Sequence, residues 1–200
     1  MLTPHLTSRL RHESPLLARR HGCRAGSRRS CRARTVTLLD VSAMLLTLGA
    51  CDVHSCEALE LDERAHWVVD ACGLGPREAP SGRDCAAAVV AIWATETAAT
   101  LTPYPPARGT GCGPGQVIPR RRWGNSRLGY GPTPTCDRLR VPRVGLRWLV
   151  KVLRAKSIRW RWSRPRSVFR AYNASSNAER YARAAHQRLR HLLKLPALGR

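Results

Sequence analysis

Residues 92–119 read IWATETAATLTPYPPARGTGCGPGQVIP and join the end of an apolar helical run to a loop rich in proline and glycine. The run delivers one carboxylate, Glu96, to its own end. A carboxylate among apolar residues loses solvation when it is charged, which favours the protonated form that a general acid needs. The loop closes on a GPGQ turn at 113–116. An acid facing a glycine-rich turn is typical of active sites, and the alternative is an exposed glutamate paired with an arginine.

Glu96 is isolated from other acids. Between Thr97 and Arg200 the only other acids are Asp137 and Glu179, whereas the same span holds 20 Arg and 3 Lys. Hydrolytic glycosidases usually need two carboxylates, one for the leaving group and one for water or a covalent step. This chain offers no plausible second carboxylate for such a pair.

Three short motifs follow one another in an order that resembles a known enzyme family. They are Glu96-Thr97, then GPGQVIP at 113–119, then AYNAS at 171–175 with a further tyrosine in the next helix. This order resembles the SLT-type lytic transglycosylases, lysozyme-like enzymes that cleave peptidoglycan. Their motifs are Glu-Ser, Gly-Leu-Met-Gln followed by a proline, and Ala-Tyr-Asn-Ala-Gly followed by a Tyr-Ala helix. The resemblance covers residues 84–193; Thr97, Pro114-Gly115 and Ser175 depart from the family pattern.

The resemblance implies a role for each matching residue. Glu96 would be the general acid and base, and the hydroxyl of Tyr172 would donate a hydrogen bond to it. Thr97, Gln116 and Asn173 would bind substrate, with Gln116 holding a sugar substituent. Cleavage would yield a 1,6-anhydro product from peptidoglycan strands without any cofactor. The alternative for Tyr172 is a core aromatic residue whose ring matters and whose hydroxyl does not.

The chain has 200 residues, 43% of them hydrophobic, which suits one domain better than two. Its formal charge of +22 is unevenly distributed: residues 1–35 carry +8, residues 36–99 carry −7 and residues 100–200 carry +21. Such an excess favours a polyanionic partner, namely nucleic acid, anionic lipid or an acidic cell-wall polymer. A basic nucleic-acid-binding protein without enzymatic activity is therefore the alternative function, although the chain has no zinc, RRM or helix-turn-helix signature.

Residues 1–35 have no sustained apolar period and consist largely of Arg, Ser, His and Gly. Such a composition predicts disorder, because it cannot bury enough apolar surface to offset the entropy of ordering. The segment is alternatively a long export region or an over-extended reading frame. Arginine outnumbers lysine 32 to 3, as GC-rich coding tends to give, so a mistranslated or degenerate frame is a third hypothesis for the chain.

Residues 36–50 follow a basic run, have an apolar centre interrupted by Asp40, and lead to Leu-Gly-Ala-Cys at 48–51. These features predict a signal peptide. The ending resembles a bacterial lipobox, in which Cys51 would be lipidated and become the mature N-terminus. The transglycosylase domain would then span residues 51–200, in the periplasm or cell envelope, as an outer-membrane lipoprotein. The alternative is that the apolar run forms a buried helix of the fold.

Eight cysteines are spread along the chain without a C-x-x-C pair, and the histidines are scattered. A zinc site is therefore not expected, and we predict no metal. Cysteines in an exported chain favour disulfides. If Cys51 is lipidated, we expect Cys72 to pair with Cys85 and Cys112 with Cys136.

Several amphipathic segments predict an all-α or α-dominated, lysozyme-like domain with long loops. Apolar spacing indicates five helices. The first covers 56–72, and the second begins at its cap, Asp84, and ends at Glu96. The other three begin at Pro142, lie near 169–174 and cover 178–195. The stretch IRWRWSRPR at 158–166 either binds a polymer by stacking or covers the core with its tryptophans.

Overall fold

The structure, a computed structural model, describes residues 36–49, 58–73, 80–98, 100–106, 109–120 and 131–198. The basic extension 1–35 and the predicted lipidation site Cys51 lie outside these residues. Within them the chain forms helices and no strand: α1 (Leu38–Thr47), α2 (Ala58–Gly73), α3 (Gly82–Glu96), α4 (Cys136–Arg140), α5 (Pro142–Trp160), α6 (Pro165–Asn173) and α7 (Ala178–Lys194). The prediction of an α-dominated fold is confirmed, and these helices belong to a unit spanning Ala33–Arg200.

The central helix of the core is α3. All ten residues from Cys85 to Ala94 are buried, and five of them are alanine. A helix that is apolar on every side must be covered on every side, and α3 packs against α1, α2, α5 and α7. Because Glu96 is the last residue of this helix, the packing of α3 sets the position of its carboxylate.

Proline and cap residues explain where several helices begin. Pro142 and Pro165 occupy the first turns of α5 and α6, where the missing N–H has no helical partner to lose. Ser81 is the N-cap of α3, so Asp84 lies in the first turn and the prediction that Asp84 caps this helix is wrong. A carboxylate in the first turn still interacts favourably with the helix dipole. The short helix α4 has no counterpart in the sequence prediction.

Among the described residues, two disulfides join helices to neighbouring segments. Cys72, at the end of α2, is bonded to Cys85 in α3, and Cys112, in the glycine-rich loop, is bonded to Cys136 at the start of α4. Both predicted pairings are confirmed. The second bond attaches the loop of the candidate site to the helices that support it.

The apolar run of the predicted signal segment forms α1, whose inner face carries Val41, Met44 and Leu45. All three side chains are fully buried against the core, where α1 packs on α2 and α3. This is the arrangement expected from the alternative interpretation, a buried helix of the fold. None of the helices that the structure describes is both long and apolar enough to cross a membrane.

Asp40, the polar residue that interrupts this run, completes the capping box of the N-cap Thr37 and bonds α1 to Leu198. Its carboxylate accepts from the amide and hydroxyl of Thr37 in a capping box, and from the amide of Leu198 at 3.0 Å. Burial alone would raise the pKa of Asp40, but these hydrogen bonds and the charge of Arg83 lower it below the ordinary value. The acid that counts against a signal peptide is therefore a structural residue of α1.

Candidate active site

Glu96 is half-buried at the end of α3, and a bonded turn follows it directly. The hydroxyl of Thr97 donates to the carbonyl of Trp93 at 2.8 Å and accepts from the amide of Leu101 at 2.9 Å. The indole of Trp93 donates to the carbonyl of Thr102 at 2.9 Å. These bonds tie the chain after Glu96 back to the helix and hold the carboxylate at one place on the edge of the core.

The glycine-rich loop lies against α4 and α5. Its turn at 113–116 is closed by a backbone hydrogen bond of 2.9 Å between its first and last residues. Gly113 has a φ of 71°, and a Cβ there would lie 2.0 Å from the carbonyl oxygen of Leu139. A Cβ at Gly115 would lie 2.6 Å from Cδ1 of Leu149. Only glycine allows the loop to approach these helices so closely.

Tyr172, near the end of α6, connects that helix to the loop. Its hydroxyl donates to the carbonyl oxygen of Gly115. A phenol has one proton to donate, so the expected donation from Tyr172 to Glu96 is wrong. Burial of the hydroxyl, and then the charge of Glu96, raise the pKa of Tyr172 well above its ordinary value. Tyr172 is therefore near enough to Glu96 for its charge to raise the pKa of the phenol, as the resemblance implies, but the hydroxyl donates to Gly115 and not to that carboxylate.

Tyr181 of α7 is the second aromatic residue of the site. Its ring is stacked on that of Tyr172, with centroids 6.4 Å apart and planes at 8°. Its buried hydroxyl makes no hydrogen bond of normal geometry to a described residue, yet the carboxylate of Glu96 is near enough to serve as its acceptor. Burial, then the charge of Glu96, the neighbouring Tyr172 and a hydrogen-bond interaction with Glu96 raise the pKa of Tyr181 well above its ordinary value, against the opposing charge of Arg188.

The site thus combines one carboxylate with two phenols that stay neutral near pH 7. Glu96 is the only carboxylate among the described residues that influences the pKa of either tyrosine. Because both phenols remain protonated, they act as hydrogen-bond donors and not as bases. A donor beside Glu96 stabilises its charged form after a proton has left, which suits a group that gives a proton and then takes one back.

The three predicted substrate-binding residues are used within the protein. Thr97 is buried and directed at the backbone, so it shapes the turn and does not line a groove. The amide nitrogen of Gln116 donates to the carbonyls of Pro106 and Gly113, both at 3.1 Å, and braces the loop. The side-chain oxygen of Asn173 accepts from the amide of Ser175 at 3.3 Å and organises the turn after α6. Contact of Gln116 or Asn173 with a sugar stays a prediction.

Tyr181 is the site residue that sequence reasoning did not assign. Its signal was present, since a tyrosine in the helix after the AYNAS motif is part of the resemblance. Sequence alone does not say which of two tyrosines nine residues apart turns its hydroxyl toward Glu96, because that depends on how α6 and α7 pack on α3.

The two tryptophans in residues 158–166 differ in their surroundings: one packs on the core and the other is exposed. Trp162 packs edge-on against Phe169, with ring centroids 6.0 Å apart, and so covers the core. Trp160 is 43% exposed and lies near the guanidinium of Arg159. Neither is among the residues that shift the pKa of Tyr172 or Tyr181.

Comparisons with known proteins do not identify a relative. No protein-family model matches the chain, and no curated protein or solved structure does. Among the described residues, no group of three or more His, Cys, Asp or Glu side chains could hold a metal ion.

Proposed function

We propose that this protein is a peptidoglycan lytic transglycosylase with a lysozyme-like fold, which cleaves the MurNAc–GlcNAc β-1,4 bond in the cell envelope. The observation that carries the proposal is the meeting of Glu96, Tyr172 and Tyr181. These residues come from α3, α6 and α7, far apart in sequence; the charge of Glu96 raises the pKa of both tyrosines, and the two rings are stacked on each other. Their order along the chain is that of the family which the sequence resembles.

In the proposed reaction Glu96 acts twice. As an acid it protonates the glycosidic oxygen, so that the bond from C1 of MurNAc to this oxygen breaks and GlcNAc leaves with a free 4-hydroxyl. As a carboxylate it then takes the proton of the MurNAc 6-hydroxyl while that oxygen attacks C1 and closes a 1,6-anhydro ring. No water is consumed and Glu96 ends protonated, which explains how one carboxylate replaces the usual pair.

Product analysis tests this proposal directly. Digestion of purified glycan strands is expected to give 1,6-anhydro ends, which mass spectrometry separates from hydrolysed ends by the missing water. Reducing ends without anhydro ends would contradict a transglycosylase. Absence of any cleavage, together with tight and salt-dependent binding to DNA, would favour the alternative nucleic-acid-binding function.

The two tyrosines allow a matched pair of variants. Tyr181→Phe is expected to lower kcat by about tenfold or more with the melting temperature nearly unchanged, because its hydroxyl has no normal partner to lose and assists Glu96. Tyr172→Phe leaves the buried carbonyl of Gly115 without its donor, so we expect a loss of about 1–3 kcal/mol in the free energy of unfolding. Steady-state kinetics and thermal unfolding of both variants provide the measurement.

The contrast between the two variants is the decisive result. Full activity of Tyr181→Phe would remove Tyr181 from the site. If instead Tyr172→Phe lost activity without any loss of stability, the hydroxyl of Tyr172 would act on Glu96 after all, as the resemblance implied.

A further inference from the structure

A groove of about 800 Å³ runs along α7, and its described lining holds five Arg or Lys residues and no acid. Two of these five cations already interact within the protein. Arg166 is paired with Glu179, and Arg188 donates to the hydroxyl of Thr95 at 3.3 Å. The other three are exposed and form no ion pair with a described acid. They are Arg183, Arg190 and Lys194, which we call the cation row.

The cation row lies on one side of α7. Arg183 and Arg190 are seven residues apart and Lys194 is four residues further on, so the three side chains project in nearly the same direction. They extend over about 16 Å of the helix axis, at the usual rise per residue. Burial, and then the charges of Arg190 and Arg166, lower the pKa of His186 in the groove, so this histidine is neutral near pH 7. A row of this length fits a polymer with repeated negative charges.

Arg188 connects the groove with the candidate site. It lines the groove, and its guanidinium donates to Thr95, the residue that precedes Glu96 at the end of α3. Its charge also acts on Tyr181, where it opposes the larger effects that raise the pKa of that phenol. Tyr181 lies on the same helix, two residues before the first member of the cation row. The groove and the candidate acid are therefore neighbours across the packing of α3 on α7.

We propose that the cation row binds carboxylates of the glycan substrate, so that the protein cleaves acidic strands in preference to neutral ones. This inference rests on the proposed function and adds the charged group by which the strand is held. In peptidoglycan each MurNAc carries a lactyl carboxyl group, which is either free or extended by a peptide that itself ends in a carboxylate. Arginine binds a carboxylate through two parallel hydrogen bonds. Carboxylates that repeat along a strand thus match cations that repeat along α7.

The connection to Glu96 favours a glycan over a nucleic acid. Phosphates suit the same cations, but a nucleic acid gives no reason for the groove to be joined to the candidate acid through Arg188 and Thr95. A glycan strand uses both features, because its carboxylates and the bond to be cleaved belong to one polymer. A nucleic acid is the alternative that the experiment distinguishes.

Cleavage of three forms of one glycan preparation tests the proposal. The first form keeps its peptides, the second has lost them to an amidase and keeps its lactyl carboxylates, and the third has had every carboxylate converted to an amide. Wild-type protein is expected to cleave the amidated strands with a kcat/KM about tenfold lower, mainly through KM, as three exposed ion pairs would give. A loss already seen in the second form assigns the binding to peptide carboxylates, and a loss only in the third assigns it to lactyl groups.

A double variant of the cation row has a matched control. Arg183→Gln with Arg190→Gln should lower the preference for acidic over amidated strands about fivefold, because two of the three cations are removed. Both side chains are exposed, so the melting temperature should stay the same. Arg138→Gln with Arg159→Gln removes the same charge from exposed positions outside the groove and should leave the preference unchanged.

An unchanged preference in the variant of the cation row would overturn the proposal, and so would an equal loss of preference in both double variants. Binding separates this proposal from the proposed function. If wild-type protein cleaves none of the strands, the proposed function fails, whereas co-sedimentation with acidic and amidated strands still measures binding by the cation row. If duplex DNA binds, acidic strands do not, and Arg183→Gln with Arg190→Gln loses the DNA, the partner is a nucleic acid and the proposal is wrong.

Discussion

Replacement of Glu96 by glutamine is expected to lower the kcat of glycan cleavage by about 10²–10⁴-fold while the protein stays folded. Glutamine has nearly the shape of glutamate, but it can neither give a proton to the leaving oxygen nor take one from the attacking hydroxyl. The side chain is half-buried at the end of α3, beyond the fully buried segment of that helix. Thermal unfolding should therefore change little, and turbidity loss of purified cell walls measures the activity.

Asp137→Asn is the matched control for this variant. Asp137 is the exposed acid of α4, with Arg140 at 3.6 Å, so its loss should change neither activity nor stability appreciably. If Glu96→Gln kept a tenth or more of the wild-type rate, Glu96 would not be the acid of the reaction and the proposed function would fail. Equal losses of activity in Glu96→Gln and Asp137→Asn would indicate a general effect of removing negative charge.

A chain that begins at Cys51, as processing at the lipobox-like sequence would produce, is expected to lose cooperative unfolding. Such a chain lacks α1 and exposes the parts of α2 and α3 that Val41, Met44 and Leu45 cover. Burial of side chains of this size contributes about 1.5–3 kcal/mol each, so their loss removes about 5 kcal/mol or more. That is comparable with the whole stability of an ordinary domain, about 5–15 kcal/mol.

The control is a chain that begins at Val36 and keeps α1. It should unfold cooperatively at nearly the temperature of the full chain, with chemical denaturation followed by circular dichroism as the measurement. N-terminal sequencing of the protein isolated from its source cells should then find α1 retained. A stable, cooperative chain beginning at Cys51, or an acylated Cys51 at the native terminus, would return residues 36–50 to the role of a signal segment.

Much of the fold follows from local patterns. The apolar spacing in α2 and α5 predicts which face of each helix is buried, and this prediction needs only the residues of the helix itself. The predicted pairings of Cys72 with Cys85 and of Cys112 with Cys136 are both formed. The position of Glu96 at a helix end required only the length of its apolar run.

The role of residues 36–50 could not be decided in this way. An apolar run of ten residues has the same composition in a signal peptide and in a core helix. What separates the two is a partner surface, and here α2 and α3 supply it while Leu198 bonds to Asp40 from the far end of the chain. No local pattern contains a contact between residues 158 positions apart.

The sequence by itself determined that one carboxylate ends an apolar helix, that a glycine-rich turn follows, and that tyrosines come later in a fixed order. Tertiary structure alone decided which groups the tyrosines meet: the hydroxyl of Tyr172 bonds to Gly115, and Tyr181 lies where the charge of Glu96 raises its pKa. The physical reason is that helix formation depends on residues three or four positions apart, whereas the direction of a side chain at a helix crossing depends on the packing of helices distant in sequence.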